Sequence, residues 1–318
     1  LLMRMDMPAF PVSRMLSALL TAKQVSLSLR YGNAPSSPVC YMALAMLLAR
    51  MRSQFTLAQR LSKLAQRLNP NAQLLANHAR LRYPYAAFLP FISHLREAIA
   101  EEQRFFEIGS RFGDMQGYFA ALFATFFRIL AGEPIEESLV LARRANVLIC
   151  RTGDLLAMTL QRLGIQVLKC LIGDTAAATS LCDEQFDEAV EHSPERSRAL
   201  PTTQLWYYLC KLLLMLMHDE RQSIWPMALL AEQSVHSAAG LYIVAEFSFL
   251  FCLAGLQHAT DQPASVRSEI LAHIAPHRDK VTEWARSCSD NFAFKCELIT
   301  AEWERIGGNL GAASAAFE

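Results

Sequence analysis

Residues 112–174 read FGDMQGYFAALFATFFRILAGEPIEESLVLARRANVLICRTGDLLAMTLQRLGIQVLKCLIGD, and this stretch contains two copies of one plan. In each copy a Gly-Asp pair opens an apolar helical run and a glycine stops it. A glycine can take the left-handed conformation that ends a helix, and an aspartate can accept from the free N–H groups of the next helix. The openings are Gly113-Asp114 and Gly153-Asp154, and the stops are Gly132 and Gly173-Asp174. Because equivalent markers lie about 40 residues apart, the stretch predicts stacked helical hairpins.

Composition favours the same fold class for the whole chain. Of 318 residues 53% are hydrophobic, while glycine and proline number 13 each, too few for a fold with many tight β-turns. No useful strand-like alternation is present, so we predict an all-α protein, an α-solenoid of stacked antiparallel helical hairpins resembling a TPR superhelix. Residues 1–318 are interpreted as a single helical-repeat array, cut from a longer multidomain protein, with a possible sub-boundary near residues 193–202.

Charge and cysteine usage restrict the partners and the compartment. Thirty Lys and Arg residues balance thirty Asp and Glu residues, which argues against nucleic acid or an anionic membrane as the main partner. The eight cysteines are scattered singly, as expected for buried thiols in a reducing cytoplasm. The most apolar runs are shorter than the ~20 residues that a membrane span needs. We therefore expect a cytoplasmic protein with no membrane span.

Hydrophobic periodicity predicts further helices on both sides of the central repeat. Within the repeat, the more polar helix over residues 134–151 is expected to be the outer member of a hairpin. One helix is expected to carry both Phe91 and Leu95. The remaining predicted helices cover about residues 12–30, 37–52, 56–68, a short stretch ending at 81, 174–191, 203–217, 224–239, 241–258, 263–286 and 291–305, with a last one starting near 309.

An acidic cluster over residues 183–188 raises one enzymatic alternative. Asp183 and Asp187 would share one face of a helix, because they are four positions apart. In this they resemble the carboxylates of class I isoprenoid synthases, which hold diphosphate through magnesium. The D-D-x-x-D spacing of those enzymes is not matched, and no second acidic motif is present. A solvated acidic face of a helix explains the cluster more simply.

Two histidines have the spacing of a metal pair on a helix. His273 and His277 are separated by four positions, but Pro276 lies between them and would disturb a helix. We therefore predict no metal site. The chain also lacks the glycine-rich phosphate-binding motifs and the G-x-S-x-G nucleophile motif, so we predict no catalytic residue and no cofactor.

The C-terminal third carries a longer pattern, W-A…N-F-x-x-K-x-x-L-x-x-A-E…G, preceded by a segment with Glu232, Leu241-Tyr242, Glu246-Phe247 and Leu253. Its residues are Trp284, Ala285, Asn291, Phe292, Lys295, Leu298, Ala301, Glu302 and Gly307. Near the start of the chain stand Tyr31-Gly32-Asn33, Ser37-Pro38, Tyr41 and Ala45. Together these residues resemble the helical-repeat region of large multidomain signalling kinases. Two positions depart from the family pattern: Phe249 replaces a tyrosine, and His218-Asp219-Glu220 replaces a Gly-Asp turn.

The resemblance implies a non-catalytic interaction or sensor module. In that family a Ser/Thr-kinase-like domain and a STAND-type ATPase precede the array, and a GAF domain and histidine kinase often follow. The expected partners are neighbouring domains or a regulatory protein, with a small-molecule ligand left open. The alternatives are the sensor array of a LuxR-type STAND transcription regulator and the isoprenoid-synthase-like enzyme. The residues expected to line a groove are Trp206, Tyr207, Lys211, Trp284, Asn291 and Lys295.

Overall fold

The computed structural model describes residues 13–52, 54–69, 89–112, 115–193, 201–238 and 241–317, with residues 2, 5 and 195. In these ranges the chain is all-helical, without strands, and has one isolated bridge between Asp183 and Phe186. The α-helices are α1 Arg14–Tyr31, α2 Ser37–Arg52, α3 Phe55–Arg67, α4 Leu95–Phe112, α5 Met115–Leu130, α6 Ile135–Cys150, α7 Leu155–Leu171, α8 Glu188–Glu191, α9 Pro201–Met217, α10 Ile224–Ser234, α11 Ile243–Ala259, α12 Ala264–Ser287, α13 Ser289–Ile306 and α14 Leu310–Phe317. Leu89–Phe91 and Val235–Ala238 form 3₁₀ turns.

The central and C-terminal helices pack in a regular order. Helices α5, α7, α9, α11 and α13 contact one another in that sequence, and α6, α10, α12 and α14 each contact the helix that precedes them. Helices α5, α7, α9, α11 and α13 thus form one layer, and α6, α10, α12 and α14 lie beside it. Helical-hairpin repeats produce this arrangement when the first helices of successive hairpins pack together. The all-α prediction is confirmed, while the TPR-like superhelical path stays a prediction.

The same turn ends four of these helices. At each end one residue has a positive φ and donates to the carbonyl three residues back, while the next residue donates to the carbonyl five back. This is the Schellman pattern, which satisfies carbonyls left free at a helix end. The positive-φ residues are Gly132 (65°), Gly173 (78°), Asp219 (52°) and Gly308 (84°). The departure from Gly-Asp in the sequence therefore keeps the turn, because Asp219 takes the left-handed conformation that aspartate tolerates better than most residues.

The predicted opening of the second copy is confirmed. Gly153 has φ 70°, and the Asp154 side chain accepts from the N–H of Ala157 at 2.8 Å, so it caps the start of α7. The opening of the first copy, Gly113-Asp114, lies outside the described residues. The predicted short helix ending at residue 81 also lies outside them.

The predicted helix over residues 174–191 is wrong. Residues 172–187 follow turns, and only Glu188–Glu191 form a helical turn. Side chains from α7 and α9 bind this irregular segment: Lys169 is paired with Asp183, and Lys211 donates to the carbonyl of Thr179 and to Glu188. The carboxylates of Asp183 and Glu188 are thus paired with lysines of neighbouring helices. These tertiary contacts stabilise the turns in place of the backbone hydrogen bonds that a regular helix would form.

Two N-terminal predictions also need correction. Phe91 is not part of the helix that carries Leu95, because it lies in the preceding 3₁₀ turn. Helical spacing in the predicted helix over residues 12–30 puts Met15, Leu16, Leu19 and Leu20 on one apolar side, but this side of α1 is not a buried face: only Leu20 is buried, and the other three are exposed. Helix α1 instead buries small and polar side chains, since Ser17, Thr21 and Gln24 face inward.

Candidate functional site

Three of the six predicted groove residues come together where α11, α12 and α13 meet. Trp284 lies in the last turn of α12, while Asn291 and Lys295 lie on α13 one helical turn apart, and all three side chains are buried. The other three, Trp206, Tyr207 and Lys211, lie on α9 and form a separate cluster. The predicted groove is therefore two groups of largely interior side chains.

A buried ion pair lies at the centre of the first group. The ammonium of Lys295 is paired with the carboxylate of Glu246 on α11, and the two residues are 5% and 4% exposed. Lys295 also donates to the hydroxyl of Tyr242 at 3.4 Å. Burial lowers the pKa of Lys295, while the nearby Glu246 carboxylate opposes that shift. Burial, and then Glu246, raise the pKa of Tyr242, so its hydroxyl stays protonated.

Aromatic rings surround the Lys295 ammonium. The distances from Nζ to the ring centroids of Tyr242, Phe249, Phe292 and Phe294 lie between 5.2 and 5.7 Å. At such distances a cation is attracted by the negative face of a ring. Phe249 thus contributes one of the rings around the lysine.

Asn291 binds a distant stretch of backbone through both polar atoms of its side-chain amide. Its amide nitrogen donates to the carbonyls of Pro90 and Ser93, both at 2.7 Å, and its amide oxygen accepts from the N–H of Leu95 at 2.9 Å. These backbone groups lie about 200 residues away along the chain. One side chain therefore binds both the 3₁₀ turn and the start of α4.

Phe91, in the middle of this backbone stretch, is packed among aromatic rings. Its centroid lies 5.6 Å from that of Tyr242, 6.0 Å from Trp284 and 6.1 Å from Phe292. On its other side Phe55 of α3 stacks at 5.2 Å with an interplanar angle of 18°. We refer to Tyr242, Trp284 and Phe292 as the aromatic pocket and to residues 89–95 as the docked segment.

The α9 cluster connects α9 to α5 and to the irregular segment. The Trp206 ring lies 4.1 Å from that of Phe126 on α5 and is buried. Tyr207 donates to Glu188 at 3.2 Å and stacks on His192 with ring centroids 4.1 Å apart. Lys211 also binds Glu188, at 3.1 Å. These contacts hold residues 172–192 against α9.

Asp183 and Asp187 do not share a helical face. Asp187 caps the short helix α8, where its side chain accepts from Ala189 N–H at 2.9 Å. Asp183 accepts from Lys169, from Gln166 at 2.9 Å and from Gln185 N–H at 2.7 Å. The helical carboxylate pair that suggested a diphosphate-metal site is thus replaced by two carboxylates with separate structural contacts.

We expect the Asp183→Asn substitution to lower the free energy of unfolding by about 2 kcal/mol at pH 7, since charge-assisted hydrogen bonds are lost. Partial burial raises the pKa of Asp183, but the hydrogen bonds from Lys169, Gln185 and Gln166 outweigh it and lower the pKa to about 2. A carboxylate with a depressed pKa stabilises the fold above its unfolded pKa, and this contribution is lost as the pH falls through 2. Urea unfolding should show a difference between wild type and variant that is full at pH 7 and shrinks below about pH 4. A difference independent of pH would contradict this assignment.

His273 and His277 are both on α12, which continues as a helix across Pro276. Glu232 of α10 lies beside both: its carboxylate is 3.0 Å from His273 Nε2 and 3.7 Å from His277 Nε2. The other ring nitrogen of His277 is 3.2 Å from the hydroxyl of Ser248 on α11. Among the described residues, no group of three or more His, Cys, Asp or Glu side chains could hold a metal ion. The histidines instead connect α10, α11 and α12.

We expect acidification to destabilise the chain through His277. Burial, and then Lys280, lower the pKa of His277 to about 4, although Glu232 opposes this shift. In the unfolded chain the His277 imidazole binds a proton below a pKa of about 6.5, whereas in the folded chain it stays neutral down to about pH 4. The free energy of unfolding therefore falls between these pH values, by about 2 kcal/mol. Chemical unfolding from pH 7.5 to 4.5 would measure this slope, and His277→Gln should flatten it. An unchanged slope in the variant would assign the effect to another group.

The residues that sequence reasoning missed belong to the docked segment. Phe91 was expected in a helix, and neither Pro90 nor Ser93 stood out, because a short turn carries no periodic signal. The residues quoted for the family pattern did contain the signal for the rest: Tyr242, Glu246, Phe249, Trp284, Asn291, Phe292 and Lys295 all converge at this one place.

Comparison with protein-family models, curated proteins and solved structures gives no match for the chain. In the part of the chain that the structure describes, no helix combines the length and the apolar character that crossing a membrane requires.

Proposed function

We propose that the chain is a non-catalytic helical-repeat interaction module, TPR-like in architecture, which binds protein segments. The observation that supports this most is the capture of residues 89–95 by α12 and α13. Asn291 binds the backbone of the segment, and an aromatic pocket receives its Phe91 side chain. Backbone hydrogen bonds combined with a side-chain pocket are the usual basis of peptide recognition by a folded domain.

In the wider protein, the module couples a regulatory ATPase to an output kinase in the cytoplasm. This part of the proposal rests on the resemblance to multidomain signalling kinases, whose pattern residues converge on the Lys295 and Asn291 site. Repeats that contact mainly their neighbours can transmit a displacement from one end of an array to the other. That step is an analogy with other helical arrays.

The coding sequence on either side of residues 1–318 tests the assignment to this class. A STAND-type P-loop before the array and a GAF domain with histidine-kinase motifs after it would support the proposal. A helix-turn-helix after the array would instead favour a LuxR-type transcription regulator. Neighbouring domains of any other kind would refute the coupling of an ATPase to a kinase.

A second experiment separates a sensor from a scaffold. Native mass spectrometry of the purified chain, beside a thermal-shift screen of small metabolites and nucleotides, would detect a bound or stabilising small molecule. A mass increment that is lost on denaturation, together with a matching stabilisation, would identify a sensor. A bare and unresponsive chain would assign the binding function to protein partners alone.

A further inference from the structure

The docked segment is recognised as a ligand would be, although it belongs to the same chain. Leu89, Pro90 and Phe91 are buried, and the polar contacts to the segment come from the side chain of Asn291 to backbone atoms and from the Cys288 thiol to Ser93 O at 3.5 Å. Contacts to backbone groups do not depend on the sequence of the segment. The aromatic pocket supplies the selectivity, since it encloses one large ring.

The walls of the pocket also contact one another, in addition to their contacts with the docked segment. The Tyr242 ring lies 5.7 Å from that of Phe292, which in turn lies 5.8 Å from Trp284. Beneath them the Lys295 and Glu246 pair joins α13 to α11, and Lys295 bonds the Tyr242 hydroxyl. A binding surface that is ordered in advance loses little conformational entropy when it takes up a ligand.

The chemistry of the pocket defines its ligand. The lysine charge is compensated by Glu246, so the pocket presents aromatic faces with no unpaired ion. The three buried residues of the docked segment's 3₁₀ turn, Leu-Pro-Phe, carry no charge. The proline fixes the backbone of the turn that exposes its carbonyls to Asn291, because its ring restricts φ.

We propose that the aromatic pocket and Asn291 form a peptide-binding site, which takes an uncharged Pro-aromatic turn followed by the first turn of a helix. In the free chain the docked segment occupies this site, and a partner segment of the same chemistry displaces it. The inference rests on the proposed function and names its partner class. Since Phe91 also stacks on Phe55, displacement of the segment separates α3 from α12 and α13 and couples partner binding to the N-terminal helices.

Fluorescence anisotropy with a labelled synthetic peptide of residues 89–96, LPFISHLR, tests the site. The protein is the full chain carrying Phe91→Ala, which empties the pocket while the walls remain. We expect the peptide to bind this variant at least tenfold more tightly than wild type, whose own segment competes. The matched control peptide has alanine in place of the phenylalanine and should lose at least tenfold in affinity. No binding to a folded variant, or equal binding of both peptides, would overturn the proposal.

Wild-type protein provides a second measurement in case Phe91→Ala does not fold. Hydrogen–deuterium exchange is followed at residues 89–95 with and without excess LPFISHLR peptide. Displacement should speed exchange at the Leu95 amide, which donates to Asn291. Unchanged exchange at millimolar peptide would overturn the proposal. Failure of the peptide experiments would leave the proposed coupling of an ATPase to a kinase intact, because that role is tested by the sequence of the neighbouring domains. Conversely, neighbouring domains of another kind would refute the coupling but not the peptide-binding site.

Discussion

The Lys295→Met substitution is expected to lower the free energy of unfolding by about 3–5 kcal/mol, the range for breaking a buried ion pair from one side. Methionine keeps most of the volume of the lysine side chain but leaves the Glu246 carboxylate buried without its cation. Tyr242 also loses the ammonium that donates to its hydroxyl. Equilibrium urea unfolding followed by far-UV circular dichroism measures the loss.

The double variant Lys295→Met with Glu246→Leu distinguishes a lost charge pair from lost packing. Removing both charges takes away the unpaired ion, so we expect the double variant to regain about 2 kcal/mol or more over Lys295→Met alone. Arg104→Met is the exposed control, because Arg104 pairs with Glu101 three residues away and its side chain is 67% exposed. That change should stay within about 1 kcal/mol. Equal losses in the single and double variants would mean that the pair contributes through packing only.

Much of the helical architecture follows from residues whose local chemistry leaves few choices. Gly132, Gly153 and Gly173 have the positive φ values that their positions in the repeat predicted, and Asp154 caps α7 as expected. These signals are local, since a helix end needs a specific backbone conformation and specific acceptors within a few residues. Local signals can be read from one sequence because the groups that satisfy them are close in the chain.

The errors occur where distant contacts decide the structure. Residues 174–191 have a helical composition, but Lys169 and Lys211 provide partners for Asp183 and Glu188 that favour turns. Phe91 lies in a turn because Asn291, about 200 residues away, binds the adjacent carbonyls. Periodicity contains no information about such partners. Tertiary contacts therefore override the local preference at both places.

The candidate site was predictable in part. Trp284, Asn291 and Lys295 were proposed as lining residues, and they do lie together, but their side chains face the interior and receive a segment of the same chain. Trp206, Tyr207 and Lys211 were proposed to line the same groove, whereas in the structure they form a separate cluster on α9. Residue type indicates what a side chain can bind; only the fold determines which side chains meet.

The Asn291→Leu substitution is expected to lower the free energy of unfolding by about 3–5 kcal/mol, because buried backbone groups without partners cost about 1–3 kcal/mol each. Leucine keeps the branching of asparagine at Cγ, although its methyl groups are larger than the amide atoms, and it can neither donate to the carbonyls of Pro90 and Ser93 nor accept from the Leu95 N–H. The docked segment then loses the amide contacts that Asn291 supplies, while Phe91 still meets the aromatic pocket. Urea unfolding measures the total loss.

Hydrogen exchange locates the loss within the molecule. In Asn291→Leu the Leu95 amide should exchange faster than in wild type by at least tenfold, whereas amides in the middle of α7 should change only as much as global stability does. Glu297→Gln, on the exposed side of the same helix, is the matched control and should stay within about 0.5 kcal/mol of wild type. If Asn291→Leu lost stability without faster exchange at Leu95, the asparagine would act on α13 itself. Faster exchange confined to residues 89–95 would instead show that one amide side chain holds the start of α4 against the C-terminal helices.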